Sequence, residues 1–329
     1  MLKSRSRFST LTASWLLAFA FVLVLSGCGG GSLSSNNNPV TGGNGGSGTL
    51  PSPDHVFLVV LENHSFSNVI GSPAMPYLNG LANSNALAAN YFAVTHPSLG
   101  NYFMLTAGEL ETNPVLGDSF PGPVTDDNLV RAFAGSGKTW KAYMQSLPSP
   151  GYIGPDVGPY VKRHNPFAYF TDVAGANGAQ PTAMAVNIVN FTQLGTDIAA
   201  NAVPNFAFIA PDVNNDAHDC PGGGTTCADT DKLTAADNWL RTNIDPLIHN
   251  PALSNSVFII TFDEGLDTDL TNGGGQVATV LVGTHVKMAF RSSTLYLHQN
   301  TLRLILDLLK VGDHPGLSST ATTMAEFFQ

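Results

Sequence analysis

The sequence is short of positive charge, and this shortage argues against one broad class of partner. The chain carries 14 Lys and Arg against 24 Asp and Glu, a formal net charge of −10. An acidic, lysine-poor surface repels a polyanion unless a metal ion or a local basic cluster screens it. We therefore expect no nucleic-acid partner, and the sequence indicates no obligate protein partner.

The chain also lacks a hydrophobic run of membrane-spanning length at its N-terminus. The apolar stretch from about Trp15 to Leu25 is short and follows three basic residues, which is typical of a secretion signal. It ends in Leu-Ser-Gly-Cys28, which resembles the lipobox of bacterial lipoproteins and implies cleavage before Cys28 and a lipid on its thiol. We expect an exported bacterial lipoprotein of the cell envelope, held at the outer membrane or cell surface. An ordinary signal peptide is the alternative.

Charge is missing altogether from residues 29–53, which are rich in Gly, Ser and Asn. Such a segment cannot bury enough apolar surface to fold, so it reads as a flexible tether. The predicted organisation is a signal peptide at 1–27, a lipidated cysteine with its tether at 28–53, and one domain at 54–329. Without the leader, 11 Lys and Arg face 24 Asp and Glu, a net charge of −13.

Cysteine is scarce too, and the sequence contains only Cys28, Cys220 and Cys227. With Cys28 used as the anchor, the other two form an even pair in an exported chain, which predicts a disulfide that closes a small loop. A metal site is the rival interpretation. The intervening Pro-Gly-Gly-Gly-Thr-Thr supplies no further thiolate or imidazole, so we favour the disulfide.

Hydrophobic patterning predicts an α/β fold with a mostly parallel central sheet sandwiched by helices. Near-continuous β-branched and aromatic runs are typical of strands buried on both faces, and helical patterns alternate with them. The predicted strands are 55–61, 87–94, 139–143, 205–210, 257–262 and 277–282. The predicted helices are 75–84, 101–107, 183–201, 233–249 and 302–309.

Two of the predicted strands end in adjacent polar residues of metal-ligand type. Glu62 and Asn63 follow one strand, and Asp263 and Glu264 follow another. Ligands bind outside the carboxyl ends of strands in open parallel sheets, where hard oxygen ligands suit a divalent cation. Either pair alone would be an ordinary loop or cap; together they predict one metal ion of unidentified element.

Ser98 lies between a predicted strand and a predicted helix, in the segment Val-Thr-His-Pro-Ser-Leu-Gly-Asn-Tyr. A serine there can simply cap the helix. The same position also directs a hydroxyl toward the strand ends, where the helix dipole favours an anion and a cation can activate the oxygen as a nucleophile. Composition alone leaves both interpretations open.

Two further segments are rich in charged and histidine side chains. His218 lies between acidic residues after a predicted strand, and Lys162, Arg163 and His164 form a rare basic island in an acidic chain. A lone histidine is more often a packing or surface residue than a catalyst. These two have better surroundings, and the basic island is a plausible phosphate contact.

These motifs resemble the bacterial and fungal phosphoesterase family of acid phosphatases and phospholipases C, within the alkaline-phosphatase-like superfamily. The matching segments occur in order and include ENHSFSNVIG, NYFAVTHPSLGNYF, YVKRHNPFAYF, PNFAFIAPDVNNDAHDC, FIITFDEG and YLHQNTLRLILDLL. The resemblance implies Ser98 as a nucleophile that also touches the metal and phosphate contacts from Asn101, His164 and His298, with His218 as general acid. It implies a metal bound by Glu62, Asn63, Asp263 and Glu264. Gly100 and Asn300 depart from the family's usual proline and serine.

The resulting hypothesis is an acid phosphatase-like phosphomonoesterase that hydrolyses an envelope or extracellular phosphate ester through a phosphoserine. A phospholipase C-type phosphodiesterase is the alternative within the family, and a non-catalytic surface-binding lipoprotein is the alternative outside it. A serine esterase is disfavoured because Gly-x-Ser-x-Gly is lacking. A sulfatase is disfavoured because no proline and arginine follow Ser98 at the required positions.

Overall fold

The computed structural model describes residues 50–111 and 117–329. The predicted leader, the lipidation site Cys28 and nearly all of the predicted tether lie outside these residues, so they stay predictions. Among the helices that are described, none has both the length and the apolar character needed to cross a bilayer.

The described chain alternates strands and helices. The strands are β1 His55–Leu61, β2 Ala86–Ala88, β3 Tyr91–Phe92, β4 Trp140–Met144, β5 Ile188–Asn190, β6 Phe206–Ala210, β7 Ser256–Phe262, β8 Thr279–Gly283, β9 Phe290–Ser292 and β10 Tyr296–Leu297. The helices are α1 Phe66–Val69, α2 Pro76–Ser84, α3 Leu99–Thr106, α4 Leu129–Ser136, α5 Thr171–Ala174, α6 Gln193–Ala199, α7 Asp229–Asn243, α8 Asp245–Ile248 and α9 His298–Leu308. Short 3₁₀ turns lie in several of the connections.

A large, mostly parallel sheet forms the centre of the fold and confirms the predicted class. Its strand order is β5-β4-β6-β1-β7-β8-β2-β9. The five strands from β5 to β7 run parallel, and β8 is antiparallel to both of its neighbours. Helices flank this sheet, while β3 and β10 form a separate parallel pair. Parallel strands buried on both faces need helices to cover them, which explains the unbroken apolar runs.

The register between β1 and β7 positions the candidate site. These neighbouring strands pair from His55 opposite Ser256 to Leu61 opposite Phe262, so they end at the same level. The Asp263 backbone N–H extends the ladder by donating to the Leu61 carbonyl at 2.9 Å. The residues that follow the two strands therefore emerge side by side at one edge of the sheet.

Three predicted elements differ from the structure. The predicted strand 87–94 is divided between β2 and β3 by a turn at residues 89–90. The predicted helix 183–201 is wrong: it contains a 3₁₀ turn, β5 and α6, because β5 pairs with β4 and this tertiary contact outweighs local propensity. The predicted helix 233–249 is two helices, with α8 beginning just before Pro246, whose missing N–H cannot continue α7.

Candidate active site

Ser98 is buried at the start of α3, where its hydroxyl does not cap the helix. Its backbone is already helical (φ −43°, ψ −51°), and its side chain makes no capping hydrogen bond. Instead, Ser98 Oγ donates to Glu62 Oε2 at 3.0 Å. Asp118 takes over part of the capping role, since its Oδ1 accepts the Leu99 N–H at 2.9 Å. The hydroxyl is thus aimed at the carboxylates that follow β1 and β7.

Those carboxylates form a dense buried cluster. Glu62, Asp263 and Glu264 are at most 2 % exposed. Burial raises the pKa of Glu62 and Asp263 well above their usual values, and repulsion between the carboxylates is the second cause. Burial also raises the pKa of Glu264. Asn63 has a left-handed backbone (φ 57°) that lets its N–H donate to Asp263 Oδ1 at 3.2 Å. The cluster concentrates negative charge where water cannot screen it.

Two oxygens of this cluster lack a hydrogen-bond partner within the described chain. They are Asn63 Oδ1 and Asp263 Oδ2, and both are buried. A buried oxygen without a partner is costly, and like-charged carboxylates this close repel one another. A divalent cation with oxygen ligands would satisfy both requirements at once, so the predicted ligand residues fit such an ion.

Asn101 and His96 hold the loop that precedes Ser98. The Asn101 amide accepts the N–H groups of Val94 and Thr95, and its Nδ2 lies 3.4 Å from Glu264 Oε2. His96 Nδ1 lies 3.2 Å from the same Glu264 oxygen. The contact with Glu264 is the main cause that raises the pKa of His96 to about 9. Both side chains therefore tie the serine loop to the carboxylate cluster.

His164 lies between two carboxylates beneath the serine helix. Its Nε2 is 3.2 Å from Glu62 Oε1, and its Nδ1 is 3.2 Å from Asp216 Oδ2. The imidazole stacks on Tyr102, with ring centroids 5.4 Å apart, and the Tyr102 hydroxyl donates to Glu62 Oε1. Burial lowers the pKa of His164 well below its ordinary value.

His218 and Arg163 form a more accessible pair beside His164. His218 Nδ1 lies 2.7 Å from Asp219 Oδ1, and Arg163 Nη2 lies 3.3 Å from His218 Nε2. Burial first, and the Arg163 charge in addition, lower the pKa of His218, whereas Asp219 opposes the shift. Cys220 follows at once and forms the predicted disulfide with Cys227, which confirms that prediction.

His298 lies at the start of α9, against the backbone of Asp263. Its side chain is fully buried, with Nε2 2.5 Å from the Asp263 carbonyl and Nδ1 3.1 Å from the Tyr91 hydroxyl. Both ring nitrogens are therefore engaged within the protein. These contacts suit a positioning role behind Asp263, and the phosphate contact that the resemblance implies for His298 stays a prediction.

The structure also brings together a group that could hold a metal ion, formed by Glu62, His164 and His218, with one ligand atom from each lying within 4.8 Å of the others. Of the predicted ligands, only Glu62 belongs to this group. His96, Glu264 and Asp267 form a second group of the same size.

Sequence reasoning missed several residues that complete the site. Tyr102, Asp118 and Asp216 each contact a predicted site residue, as does His96. The Tyr102 signal was present, because residues four apart share a helix face and Tyr102 lies four after Ser98. Asp216 is one of the acidic residues beside His218, whereas the approach of Asp118 to α3 has no local signal.

The model of the phosphoesterase family matches residues 72–312, which is most of the chain. The chain belongs to the phosphoesterase family. It is accordingly a phosphoric ester hydrolase, which replaces the alternative of a non-catalytic surface-binding lipoprotein.

Several curated relatives belong to the same group of enzymes. The chain is 30% identical to phosphatidylinositol-3-phosphatase of Mycobacterium tuberculosis, over 80% of each chain. It is 28% identical to a probable acid phosphatase of Kluyveromyces lactis over 79% of this chain, and 29% identical to an acid phosphatase of Aspergillus fumigatus over 75%. The match spans 60% and 52% of those two fungal proteins.

Solved structures confirm the fold at low sequence identity. The lipoteichoic acid synthase LtaP of Listeria monocytogenes aligns with a TM-score of 0.56 at 12% identity, covering 85% of this chain and 77% of that one. An alkaline phosphatase superfamily protein of Vibrio parahaemolyticus aligns with the same TM-score at 10% identity, covering 85% and 72%. The phosphoesterase domain therefore has an alkaline-phosphatase-like fold.

Proposed function

We propose that this phosphoesterase is a metal-dependent phosphomonoesterase of the acid phosphatase type, which works through a phosphoserine formed on Ser98. The observation that carries the proposal is the 3.0 Å hydrogen bond from Ser98 Oγ to Glu62 Oε2. It aims the hydroxyl of a helix-terminal serine into a buried carboxylate cluster with unpartnered oxygens, an arrangement that suits activation of a nucleophile.

Glu62, Asn63, Asp263 and Glu264 would hold one divalent cation, with Ser98 beside it. Such an ion, when bound, lowers the pKa of a neighbouring hydroxyl and stabilises negative charge on phosphoryl oxygens. The orphaned Asn63 and Asp263 oxygens support this ligand set. The Glu62, His164 and His218 group is a competing position, which ligand substitution distinguishes.

In the proposed first step, Ser98 Oγ forms a bond to phosphorus while the bond from phosphorus to the leaving oxygen breaks. The serine proton passes to Glu62 Oε2, the acceptor it already faces. His218 Nε2, when protonated, gives its proton to the leaving alcohol. In the second step the neutral His218 ring accepts a proton from water, whose oxygen forms a bond to phosphorus while the bond from phosphorus to Ser98 Oγ breaks. Ser98 Oγ then regains its proton from Glu62. The low pKa of His218 makes acidic conditions favourable for the first step.

The named relatives support a phosphate monoester as the substrate and favour this reaction over cleavage of a diester. Lipid attachment at Cys28 would hold the enzyme in the cell envelope, where its substrate would be an envelope or extracellular phosphate ester. Radiolabelled palmitate incorporation, compared with Cys28→Ala, tests the anchor separately from catalysis.

Turnover of p-nitrophenyl phosphate tests the nucleophile. We expect Ser98→Ala to lower kcat by at least about a thousandfold, since removal of a catalytic nucleophile has effects of that size. Ser136→Ala is the matched control, because its hydroxyl bonds only to the backbone of α4. Metal stripping followed by addition of single divalent ions should abolish and restore turnover. Retention of near-wild-type turnover by Ser98→Ala, or by the metal-free protein, would refute the mechanism.

The monoester assignment has its own measurement. Bis-p-nitrophenyl phosphate, a diester, should be hydrolysed with a much lower kcat/KM than p-nitrophenyl phosphate. A diester preference would instead favour the phospholipase C-type reaction. An acid-stable phosphate on Ser98, identified by mass spectrometry after quenching at low pH, would support the covalent step in either case.

A further inference from the structure

The basic island contains Lys162, a residue that the proposed mechanism leaves unused. Its side chain lines a cavity of about 550 Å³ together with Phe120, Tyr169, Arg163 and His218. Resting on the proposed function, we propose that Lys162, Tyr169 and Phe120 form a leaving-group subsite that selects phosphomonoesters whose leaving group carries a second negative charge.

The cavity reaches one of the proposed reacting groups. His218, the proposed acid for the leaving oxygen, lines it. Asp118 lines it as well and accepts the N–H of Leu99, the residue after the nucleophile. A phosphoryl group at Ser98 whose leaving oxygen faces His218 therefore directs the remainder of the substrate into this space. Its volume lies in the range of small-molecule sites, about 300–1,000 Å³.

The two cations of the cavity are in different situations. Arg163 is already engaged, with Nε 3.5 Å from Asp118 Oδ2, Nη1 3.6 Å from Asp156 Oδ2, and Nη2 against His218. Lys162 Nζ lies 4.3 Å from the centre of the Tyr169 ring. The ion pairs found in the described chain leave Lys162 without a carboxylate partner.

This half-buried ammonium is suited to receive an anion. Its contact with an aromatic face holds it against the cavity wall without neutralising its charge. A carboxylate or phosphate there would form a charge-assisted hydrogen bond, which is stronger than a neutral one.

The aromatic side chains Phe120 and Tyr169 add a preference for an apolar portion of the leaving group. The Phe120 and Tyr169 rings are stacked at 18°, with their centroids 6.3 Å apart. Tyr169 is buried, so the partly buried Phe120 ring offers the apolar surface beside the ammonium, suited to a ring or short hydrocarbon portion of the leaving group. The favoured substrate would therefore combine the scissile phosphate with a compact apolar body and a second anionic group.

A matched pair of aryl phosphates tests the subsite. 4-Carboxyphenyl phosphate and 4-carbamoylphenyl phosphate have nearly the same shape and differ by one negative charge. The measured quantity is the ratio of their kcat/KM values, which cancels effects common to both esters. We expect the wild-type enzyme to favour the carboxylate, and Lys162→Met to reduce that ratio by about tenfold through loss of one charge-assisted contact.

Two further variants separate charge from folding. Lys162→Arg keeps the positive charge and should retain most of the preference. Lys287→Met is the matched control, because Lys287 also lies over an aromatic ring, 5.0 Å from the centre of Phe290, away from the cavity. It should leave the ratio unchanged.

The outcomes distinguish the subsite from the proposed mechanism. Hydrolysis that depends on Ser98, combined with no wild-type preference or with a ratio that Lys162→Met does not change, would overturn the subsite alone. Hydrolysis of both esters that survives Ser98→Ala would overturn the mechanism and the subsite together.

Discussion

The carboxylate of Asp118 accepts the backbone N–H of Leu99, the first residue of the helix that begins after the candidate nucleophile. This contact satisfies a helix-terminal N–H with a side chain from another loop and leaves the Ser98 hydroxyl with Glu62. Asp118 therefore supplies a helix-capping contact, and Ser98 is left as the candidate nucleophile. Substitutions can test this separation of roles.

Asp118→Ala should lower both stability and activity, whereas Asp118→Asn should keep most of the stability because its amide oxygen can still accept. The expected loss for alanine is about 1 kcal/mol of unfolding free energy, typical of a lost helix cap, with kcat reduced severalfold. Asn128→Ala, which removes the cap of α4, is the control. In urea unfolding, Asn128→Ala should lose a similar amount of stability, whereas its kcat for turnover should be unchanged. Equal effects of Asn128→Ala and Asp118→Ala on kcat would contradict the assignment.

Tyr102→Phe removes the hydroxyl that donates to Glu62 Oε1 while preserving the ring stacked on His164. We expect metal affinity or kcat to fall by about 10- to 100-fold, the usual range for loss of a partner behind a metal ligand. Tyr143→Phe is the matched control, because that buried hydroxyl donates to Asp197. Titration of the metal-free protein with single divalent ions measures the change. An unchanged titration together with an unchanged kcat would exclude a role for the hydroxyl.

His298→Gln should retain more activity than His298→Phe, since a glutamine amide can still donate to the Asp263 carbonyl that His298 Nε2 now contacts. The phenylalanine variant leaves that buried carbonyl without its partner, which costs about 1–3 kcal/mol of stability. His55→Gln is the control, because His55 contacts the Pro204 carbonyl at the opposite end of β1. Rescue of metal binding by glutamine separates positioning from direct phosphate contact, and equal loss in both His298 variants would argue for the latter.

The pH profile of kcat should report the environment of His218. As the proposed acid, His218 must be protonated, so the rate falls as pH rises through its pKa, which lies below the ordinary value of 6.5. Arg163→Gln removes a positive charge that lowers this pKa and should shift the alkaline limb to higher pH. Arg131→Gln, which breaks an ion pair with Asp172, is the control. A limb that stays in place, or moves to lower pH, would be inconsistent with His218 as the acid.

Sequence reasoning predicted the parts of the site that follow from strand ends. The sequence predicted that Glu62 and Asp263 lie at one edge of the sheet, because each follows an apolar strand, β1 or β7. The two strands pair so that they end together, which explains why this prediction succeeds. The helix start at Ser98 and the disulfide partner of Cys220 also carried local signals.

The remaining parts depend on contacts between distant segments. Asp118 lies in a loop that approaches α3 from outside, and β5 is a strand only because β4 offers it an edge. The contact of His298 with the Asp263 carbonyl was also beyond local patterns, because the predicted helix 302–309 began after His298 and spacing does not show which groups a side chain meets across the sheet. Side-chain orientation at long range has no counterpart in local periodicity.

Because β1 and β7 end at the same level, the site that follows them forms only once these two strands have paired. This pairing therefore also sets when activity can appear during folding. Asn63 and Asp263 are 200 positions apart in the chain, yet they share a hydrogen bond at the heart of the carboxylate cluster. Contacts of such high sequence separation require closure of a long loop, which slows their formation. Regain of turnover after dilution from denaturant should therefore trail the regain of helical signal, and a ribosome-bound chain lacking β7 should be unable to assemble the cluster.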